Sequence, residues 1–126
     1  MFEVGQEYSR KDIYSILRVP ASQQEGNWNT GYNQYGNQYY IFANVGVSGR
    51  TGQDHNNRFK DGMLEWNAKS STHLGQPTIQ KMISGDYTIH IFTRDDSSDT
   101  KFIYQGVGSV YKIGDTTPVK IIWRFK

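Results

Sequence analysis

The sequence contains no cysteine, only three prolines and no long apolar run. Without cysteine there is no disulfide framework, no thiolate zinc site and no cysteine nucleophile. The three histidines, His55, His73 and His90, do not have the short spacing of a metal-binding motif. No apolar segment approaches the ~20 residues of a membrane span, and no signal peptide opens the chain. We therefore expect a cytoplasmic protein with no membrane partner and no cofactor.

Net charge is also small. The formal charge is +2 at pH 7, which is too low for a protein that binds a polyanion by charge alone and favours a local basic patch. Aromatic residues make up 14% of the chain although all hydrophobic residues reach only 36%. A core of rings and β-branched side chains favours a sheet over a helix bundle. The length of 126 residues predicts a single domain, residues 1–126.

Two short helices are predicted. The first follows Ser9, which forms a capping-box variant with Asp12, and it ends before Pro20. The second begins at Pro77 and stops at Gly85. Each carries an apolar stripe, formed by Ile13, Ile16 and Leu17 in the first and by Ile79, Met82 and Ile83 in the second.

The remaining segments alternate between strands and polar loops. Ring-rich or alternating segments predict strands at 38–45, 64–68, 86–94, 101–113 and 118–126. Loops are predicted at 21–32, 46–57 and 95–100, and a bulge is predicted in the long fourth strand at Gly106 or Gly108. This order predicts an α+β domain built on a strongly bent mixed sheet or half-open β-barrel with two short helices.

One pattern suggests catalysis. Asp61, Glu65 and Lys69 in "DGMLEWNAK" resemble the carboxylates and lysine of metal-dependent nucleases, but the final spacing is longer than those sites use. The aspartates of "DDSSDT", beginning at Asp95, lack the glycine and terminal glutamate of a calcium loop. No nucleophile elbow, Walker loop or zinc-protease motif is present. We therefore predict a binding domain, with a metal-dependent nuclease kept as an alternative.

A second pattern suggests nucleic-acid recognition, which needs cations for phosphates, polar groups for base edges and rings for exposed bases. The glycine-flanked segment "SGRTGQDHNNR" supplies Arg50, Thr51, His55 and Asn57. Rings are concentrated just before it, and Trp28 and Tyr32 fall in a predicted loop. A polar surface loop and a tryptophan that covers the core are the alternatives.

A third polar run, "EWNAKSST", contributes Trp66, Asn67, Lys69 and Ser71. A lysine followed by hydroxyls suits phosphate contacts, and an asparagine suits a base edge. A tryptophan in the middle of a strand is, alternatively, a core residue. The same tyrosines and asparagines also fit a carbohydrate- or protein-binding β domain.

Longer motifs resemble a known family. "LEWNAKSST", "IHIFTRDDSSDTKFIYQGVGSV" and "TPVKIIWRF" resemble a domain of unknown function found in modification-dependent (type IV) restriction enzymes, where it is linked to helicase–nuclease modules. "YSRKDIYSIL", "NWNTGY" and "IFANVGVSGRTGQDHNN" resemble copies linked to HNH modules. The matching positions are Trp66, Ser71, Thr72, Phe92, Arg94, Phe102, Tyr104, Gly106, Pro118, Ile121 and Trp123.

This resemblance implies a target-recognition domain that binds double-stranded DNA and inspects it for a modified base. Modified cytosine is the expected target, with base flipping as a route, and any cutting is expected in a separate nuclease domain or subunit. An SRA-like (SET- and RING-associated) fold is also implied. In this hypothesis Arg50 and Lys69 hold phosphates, and Trp28 or Tyr32 stacks on the base. Thr51, His55 and Asn57 form hydrogen bonds with the base edge. The full set of expected DNA-binding residues is Trp28, Thr30, Tyr32, Arg50, Thr51, His55, Asn57, Trp66, Asn67, Lys69 and Ser71.

Overall fold

The computed structural model describes residues 1–29, 31–45, 57–69 and 71–126. These residues form eight strands, two α-helices and two short 3-10 turns. In chain order the elements are β1 (Glu7–Ser9), α1 (Arg10–Leu17), the 3-10 turns Ala21–Gln23 and Gly26–Asn29, β2 (Tyr32–Tyr35), β3 (Gln38–Asn44), β4 (Arg58–Lys60), β5 (Met63–Asn67), α2 (Pro77–Ile83), β6 (Thr88–Arg94), β7 (Lys101–Gly114) and β8 (Lys120–Phe125).

All eight strands belong to one mixed sheet. The order is β2-β3-β6-β7-β8-β5-β4, and β1 pairs with the first part of β7. Only β3 and β6 run parallel among the described strands, and every other pair is antiparallel. Because β2 and β4 are not paired with each other, the sheet is open rather than a closed barrel. The predicted bent mixed sheet with two short helices is confirmed.

The sheet has apolar side chains on both of its faces. We call the larger group the inner cluster. It comprises Tyr32, Tyr39, Ile41, Ala43, Leu64, Trp66, Ala68, Ile79, Met82, Ile89, Ile91, Val119, Ile121 and Trp123. The outer cluster comprises Ile13, Tyr14, Val19, Trp28, Tyr40, Phe42, Phe92, Phe102 and Tyr104. Alternation along β3 and β6 sends successive side chains to opposite clusters, as strand geometry requires. Helix α2 therefore packs on one face and α1 on the other.

Helix α1 begins with the predicted capping box. The Asp12 amide donates to Ser9 Oγ over 3.1 Å, and the Ser9 amide donates to Asp12 Oδ2 over 2.9 Å. The helix stops at Arg18, which adopts a left-handed conformation with φ of 57°. In α2, Pro77 lies in the first turn as predicted, and Ile79 and Met82 are buried. None of the helices in the described part of the chain is long and apolar enough to cross a membrane.

Three short strands were not predicted. β1, β2 and β4 have three or four residues each, and their charged or amide side chains give no apolar alternation. They form because a longer neighbouring strand supplies partners for their backbone hydrogen bonds, so their formation depends on the tertiary structure. The predicted bulge is present: the register of β6 and β7 shifts between Ile91 and Phe92, so that Gln105, beside Gly106, is the extra residue. A second shift occurs at Tyr111.

Candidate nucleic-acid interface

The sheet curls far enough to bring β2 and β5 together, although five steps separate them in the strand order. Tyr32 opens β2 and Trp66 lies in β5, and their ring centroids are 5.4 Å apart at an interplanar angle of 72°. The Lys69 ammonium lies 4.3 Å from the centroid of the Tyr32 ring. We call this region the Tyr32 rim, defined by Tyr32, Asn57, Trp66, Asn67, Lys69 and Ser71.

Asn57 links the strands at this rim. Its side-chain amide donates to the Asn44 carbonyl at the end of β3 over 3.2 Å, and its Oδ1 accepts from the Asn67 amide at the end of β5 over 2.8 Å. The residue is only 6% exposed, so both bonds satisfy groups that would otherwise be buried without partners. Asn57 therefore positions the rim, and its predicted role on a base edge is replaced by this backbone link.

Lys69 and Ser71 lie in a turn that Thr72 fixes. Thr72 donates from its amide and its hydroxyl to the Lys69 carbonyl, over 3.1 and 2.7 Å. The same hydroxyl accepts from the Val119 amide over 3.1 Å, which ties the turn to the start of β8. Ser71 is exposed and has a φ of 69°. The sequence contained Thr72 in the hydroxyl run but did not indicate that it is the buried anchor.

In the described part of the chain no carboxylate forms an ion pair with the Lys69 ammonium. Burial lowers the pKa of this ammonium group, which lies against the Tyr32 ring. Among residues 1–29, 31–45, 57–69 and 71–126 the ion pair is Arg58 with Glu65, at 2.5 Å. A partly dehydrated ammonium over a ring retains its donors for an anionic or carbonyl ligand. Lys69 is therefore suited to a phosphate or a base oxygen.

Tyr32 is buried, whereas the sequence placed it in a predicted loop. It is 6% exposed, and burial raises the pKa of its hydroxyl although a hydrogen bond from the Lys69 backbone opposes that shift. Trp66 is 2% exposed and packs against Trp123, with centroids 6.2 Å apart. In this conformation Trp66 is a core residue, which was the alternative interpretation of its strand position. Tyr32 belongs to the same inner cluster and lies in β2, so the expectation that it stacks on a base is corrected to a core role in which its ring supports the Lys69 ammonium.

Trp28 does not lie in an open loop. It is 2% exposed in the 3-10 turn Gly26–Asn29, and its ring contacts those of Tyr14, Tyr40 and Phe42 in the outer cluster at 5.3, 5.5 and 6.3 Å. Arg10 Nε donates to its carbonyl over 2.7 Å. Burial of so large an apolar surface stabilises the fold more than exposure in a loop would. The expectation that Trp28 stacks on a base is corrected to a core role.

Four expected site residues, Thr30, Arg50, Thr51 and His55, lie outside the described residues. The residues on either side of the segment that carries three of them are described. The Val45 amide donates to the Arg94 carbonyl over 2.9 Å, and Asn57 holds Asn44 and Asn67 as described above. Val45 and Asn57 are therefore both anchored to the ends of sheet strands.

The nuclease residues are not assembled. Glu65 accepts a hydrogen bond from Arg58 Nε, and this bond is the largest cause of the lowered pKa of its carboxyl. Lys69 lies instead over the Tyr32 ring. Asp61 occupies the turn between β4 and β5 with a φ of 55°. Within the described ranges no group of three histidine, aspartate or glutamate side chains could hold a metal ion. In the turn after β6, Asp96 accepts from Ser98, which lowers the pKa of its exposed carboxyl.

A family model matches residues 2–126, almost the whole sequence. The chain belongs to the DUF3427 family, described as a domain of unknown function. The predicted resemblance of the sequence motifs to a family of domains of unknown function is thereby confirmed. A comparison with curated proteins finds no match.

Solved structures share the fold of this DUF3427 domain. KRYPTONITE in complex with mCHH DNA, an H3(1-15) peptide and SAH matches with a TM-score of 0.61 at 10% identity, covering 99% of this chain and 32% of that chain. KRYPTONITE with mCHG DNA and SAH gives 0.59 at 11% identity, with the same coverage. SUVH6 of Arabidopsis thaliana with SAM gives 0.57 at 19% identity and 26% of that chain. The chain spans a third or less of these proteins, and the expected SRA-like fold is confirmed.

Proposed function

We propose that this DUF3427 domain is a non-catalytic reader that binds double-stranded DNA and recognises a modified base, with modified cytosine as the target. The observation that carries the proposal is the fold, which is shared over 99% of the chain with KRYPTONITE structures solved with mCHH and mCHG DNA. The Tyr32 rim adds support because it collects a cation and amide groups next to Asn57, which follows the polar segment 46–56 in the chain.

The residues of the rim take distinct roles in this proposal. Lys69 binds a phosphate or a base oxygen, because its ammonium has no carboxylate partner among the described residues. Arg50 binds a phosphate from the adjacent segment, and Thr51 and His55 contact the base edge. Tyr32 supports Lys69, because its buried ring lies 4.3 Å from the ammonium. Asn57 and Thr72 hold these groups in place.

Fluorescence anisotropy with matched duplexes tests the proposal. Duplexes of one sequence with cytosine, 5-methylcytosine or 5-hydroxymethylcytosine at a single site are titrated with the domain at fixed salt. We expect at least tenfold tighter binding to one modified duplex than to the unmodified one, corresponding to about 1.4 kcal/mol. Equal affinity for every duplex would contradict the proposal. A shallow salt dependence together with binding on a glycan array would favour the carbohydrate-binding alternative instead.

The site assignment has its own test. Lys69→Gln and Arg50→Gln are each expected to weaken binding and to lower the salt slope by about one. Lys81→Gln removes the charge of an exposed lysine in α2. It is the matched control and is expected to bind DNA normally. If the Lys69 and Arg50 variants both bind like the wild type while the preference for modified DNA persists, the function stands and the site lies elsewhere.

We further place the domain in a modification-dependent restriction system, with cleavage carried out by a nuclease domain or subunit. That this fold occupies only 32% and 26% of the matched chains supports a role as one part of a larger assembly. The expected result is that the isolated domain leaves modified plasmid intact with magnesium or manganese. Cleavage by the pure domain, abolished by Glu65→Gln, would support the nuclease alternative.

A further inference from the structure

The outward face of β4, β5, β8 and the second half of β7 carries a cluster of cations that the proposed site does not use. In register, Arg58 pairs with Glu65, Lys60 with Met63, Glu65 with Ile122, Asn67 with Lys120, Ser109 with Arg124 and Lys112 with Ile122. Directly paired residues share a face of a sheet. Five cations, Arg58, Lys60, Lys112, Lys120 and Arg124, therefore surround one carboxylate, Glu65. We call this surface the basic face.

Arg58, Lys120 and Lys60 act on the Glu65 carboxylate. The pKa of the Glu65 carboxyl is lowered first by its hydrogen bond with Arg58, and then by the positive charges of Arg58, Lys120 and Lys60. One carboxylate cannot neutralise this group, and the other nearby acids, Asp61 and Asp115, lie in turns at its margin. Five cations around a single carboxylate make this face more positive than the chain as a whole, whose formal charge is +2.

The basic face is not covered by the described part of the protein. The alternate residues of β5 and β8, namely Leu64, Trp66, Ile121 and Trp123, point into the inner cluster, and the outer cluster lies against β3, β6 and the first half of β7. Arg58, Lys60, Lys112 and Arg124 are exposed, and Lys120 is half-buried. Four strands about 4.8 Å apart give a surface roughly 14 Å wide.

We propose that the basic face binds the phosphate backbone of duplex DNA next to the site recognised by the Tyr32 rim. The two surfaces are continuous, because Asn67 of the rim is the register partner of Lys120. The face offers lysine and arginine side chains, which are groups that contact phosphates. Lysine is depleted in protein interfaces, whose centres are apolar, so charge complementarity favours nucleic acid over a protein partner.

This inference rests on the proposed function, and a double variant tests it separately. Lys120→Gln with Arg124→Gln removes one lysine and one arginine from the face. We expect a loss of affinity that is the same for modified and unmodified duplexes, and a salt slope lower by about two. Lys11→Gln with Arg18→Gln removes an exposed lysine and arginine on and just after α1, and is expected to change neither quantity.

The outcomes separate the two proposals. An unchanged affinity and salt slope in the basic-face variant, with modified DNA still preferred, would overturn the basic-face proposal alone. Equal binding to all duplexes, with a slope that falls by about two in the variant, would overturn base recognition and retain the basic face. If the domain binds polyglutamate more tightly than duplex DNA at equal charge concentration, and the variant loses that binding, the face would be reassigned to an acidic protein partner. Far-ultraviolet circular dichroism confirms that each variant is folded.

Discussion

Trp28 and Tyr32 lie on opposite faces of the sheet although only three residues separate them. Trp28 packs against Tyr40 and Phe42, whereas Tyr32 pairs with Ile41, whose side chain points to the other face of β3. A single pocket cannot use both rings. The rim therefore depends on Tyr32 and Lys69, and Trp28 contributes to DNA binding only through the stability of the outer cluster.

Replacing Trp28 tests its core role. Trp28→Ala is expected to lower the free energy of unfolding by about 3–5 kcal/mol, because it leaves a cavity among Tyr14, Tyr40 and Phe42. Urea denaturation followed by circular dichroism measures the loss. Tyr111→Ala, at a ring that is 55% exposed, is the control and is expected to change stability by less than about 0.5 kcal/mol. A Trp28 variant as stable as the control would contradict its placement.

Removal of the Asn57 link is expected to lower the free energy of unfolding. Asn57→Ala leaves the half-buried Asn44 carbonyl and Asn67 amide without this partner, which is expected to destabilise the domain by about 1–3 kcal/mol. Asn37→Ala, an exposed asparagine in the turn between β2 and β3, is the matched control. Amide hydrogen exchange should show faster exchange at Asn67 in the first variant only. Unchanged protection there would show that Asn57 does not hold β5.

Gly108 permits close packing between β6, β7 and β8. A Cβ at this position would lie 2.6 Å from Ile91 Cδ1 and 3.2 Å from Trp123 Cε3. Gly108→Ala is therefore expected to destabilise the domain by about 1–3 kcal/mol through overpacking. Gly114→Ala in the same strand, where the nearest atom would be at 3.6 Å, should be close to neutral. Thermal melts of both variants distinguish steric crowding from the general effect of replacing a strand glycine.

His90 makes stability depend on pH. Burial, and secondarily the positive N-terminus, lowers the pKa of its imidazole from 6.5 to about 4. The ring is hydrogen-bonded to Tyr104 Oη at 2.8 Å and Gln38 Oε1 at 2.5 Å, and it stacks on Tyr40 at 5.1 Å. The unfolded chain takes up the proton first as pH falls, so this stability is complete above about 6.5 and is lost by about pH 4.

Thermal melts between pH 7 and pH 4 measure this dependence. We expect a decrease on the order of 1–2 kcal/mol after allowance for partial exposure of the ring. His90→Gln should flatten the profile over this range, whereas His73→Gln, at an exposed histidine, should leave it unchanged. A profile identical in wild type and His90→Gln would show that His90 is not the group responsible.

Local patterns predicted the longer elements well. The Ser9 and Asp12 capping box, the alternation of β8 and the glycine-associated bulge near Gly106 all follow from residues close in sequence. The short strands β2 and β4 could not be predicted, because their pairing depends on partners supplied by β3 and β5. Asn57 and Thr72 likewise look like ordinary loop residues until the strands that they link are in place.

The sequence alone determined the class of fold, the helices and their caps, the family resemblance and the residue types from which a DNA reader is built. These depend on periodicity, turn chemistry and composition, which are local properties. Only the tertiary structure decided which rings are core and which cations share a surface. Trp28 and Tyr32 were separated, and Lys120 and Arg58 brought near one carboxylate, because sheet pairing and curvature join residues that are distant in the chain.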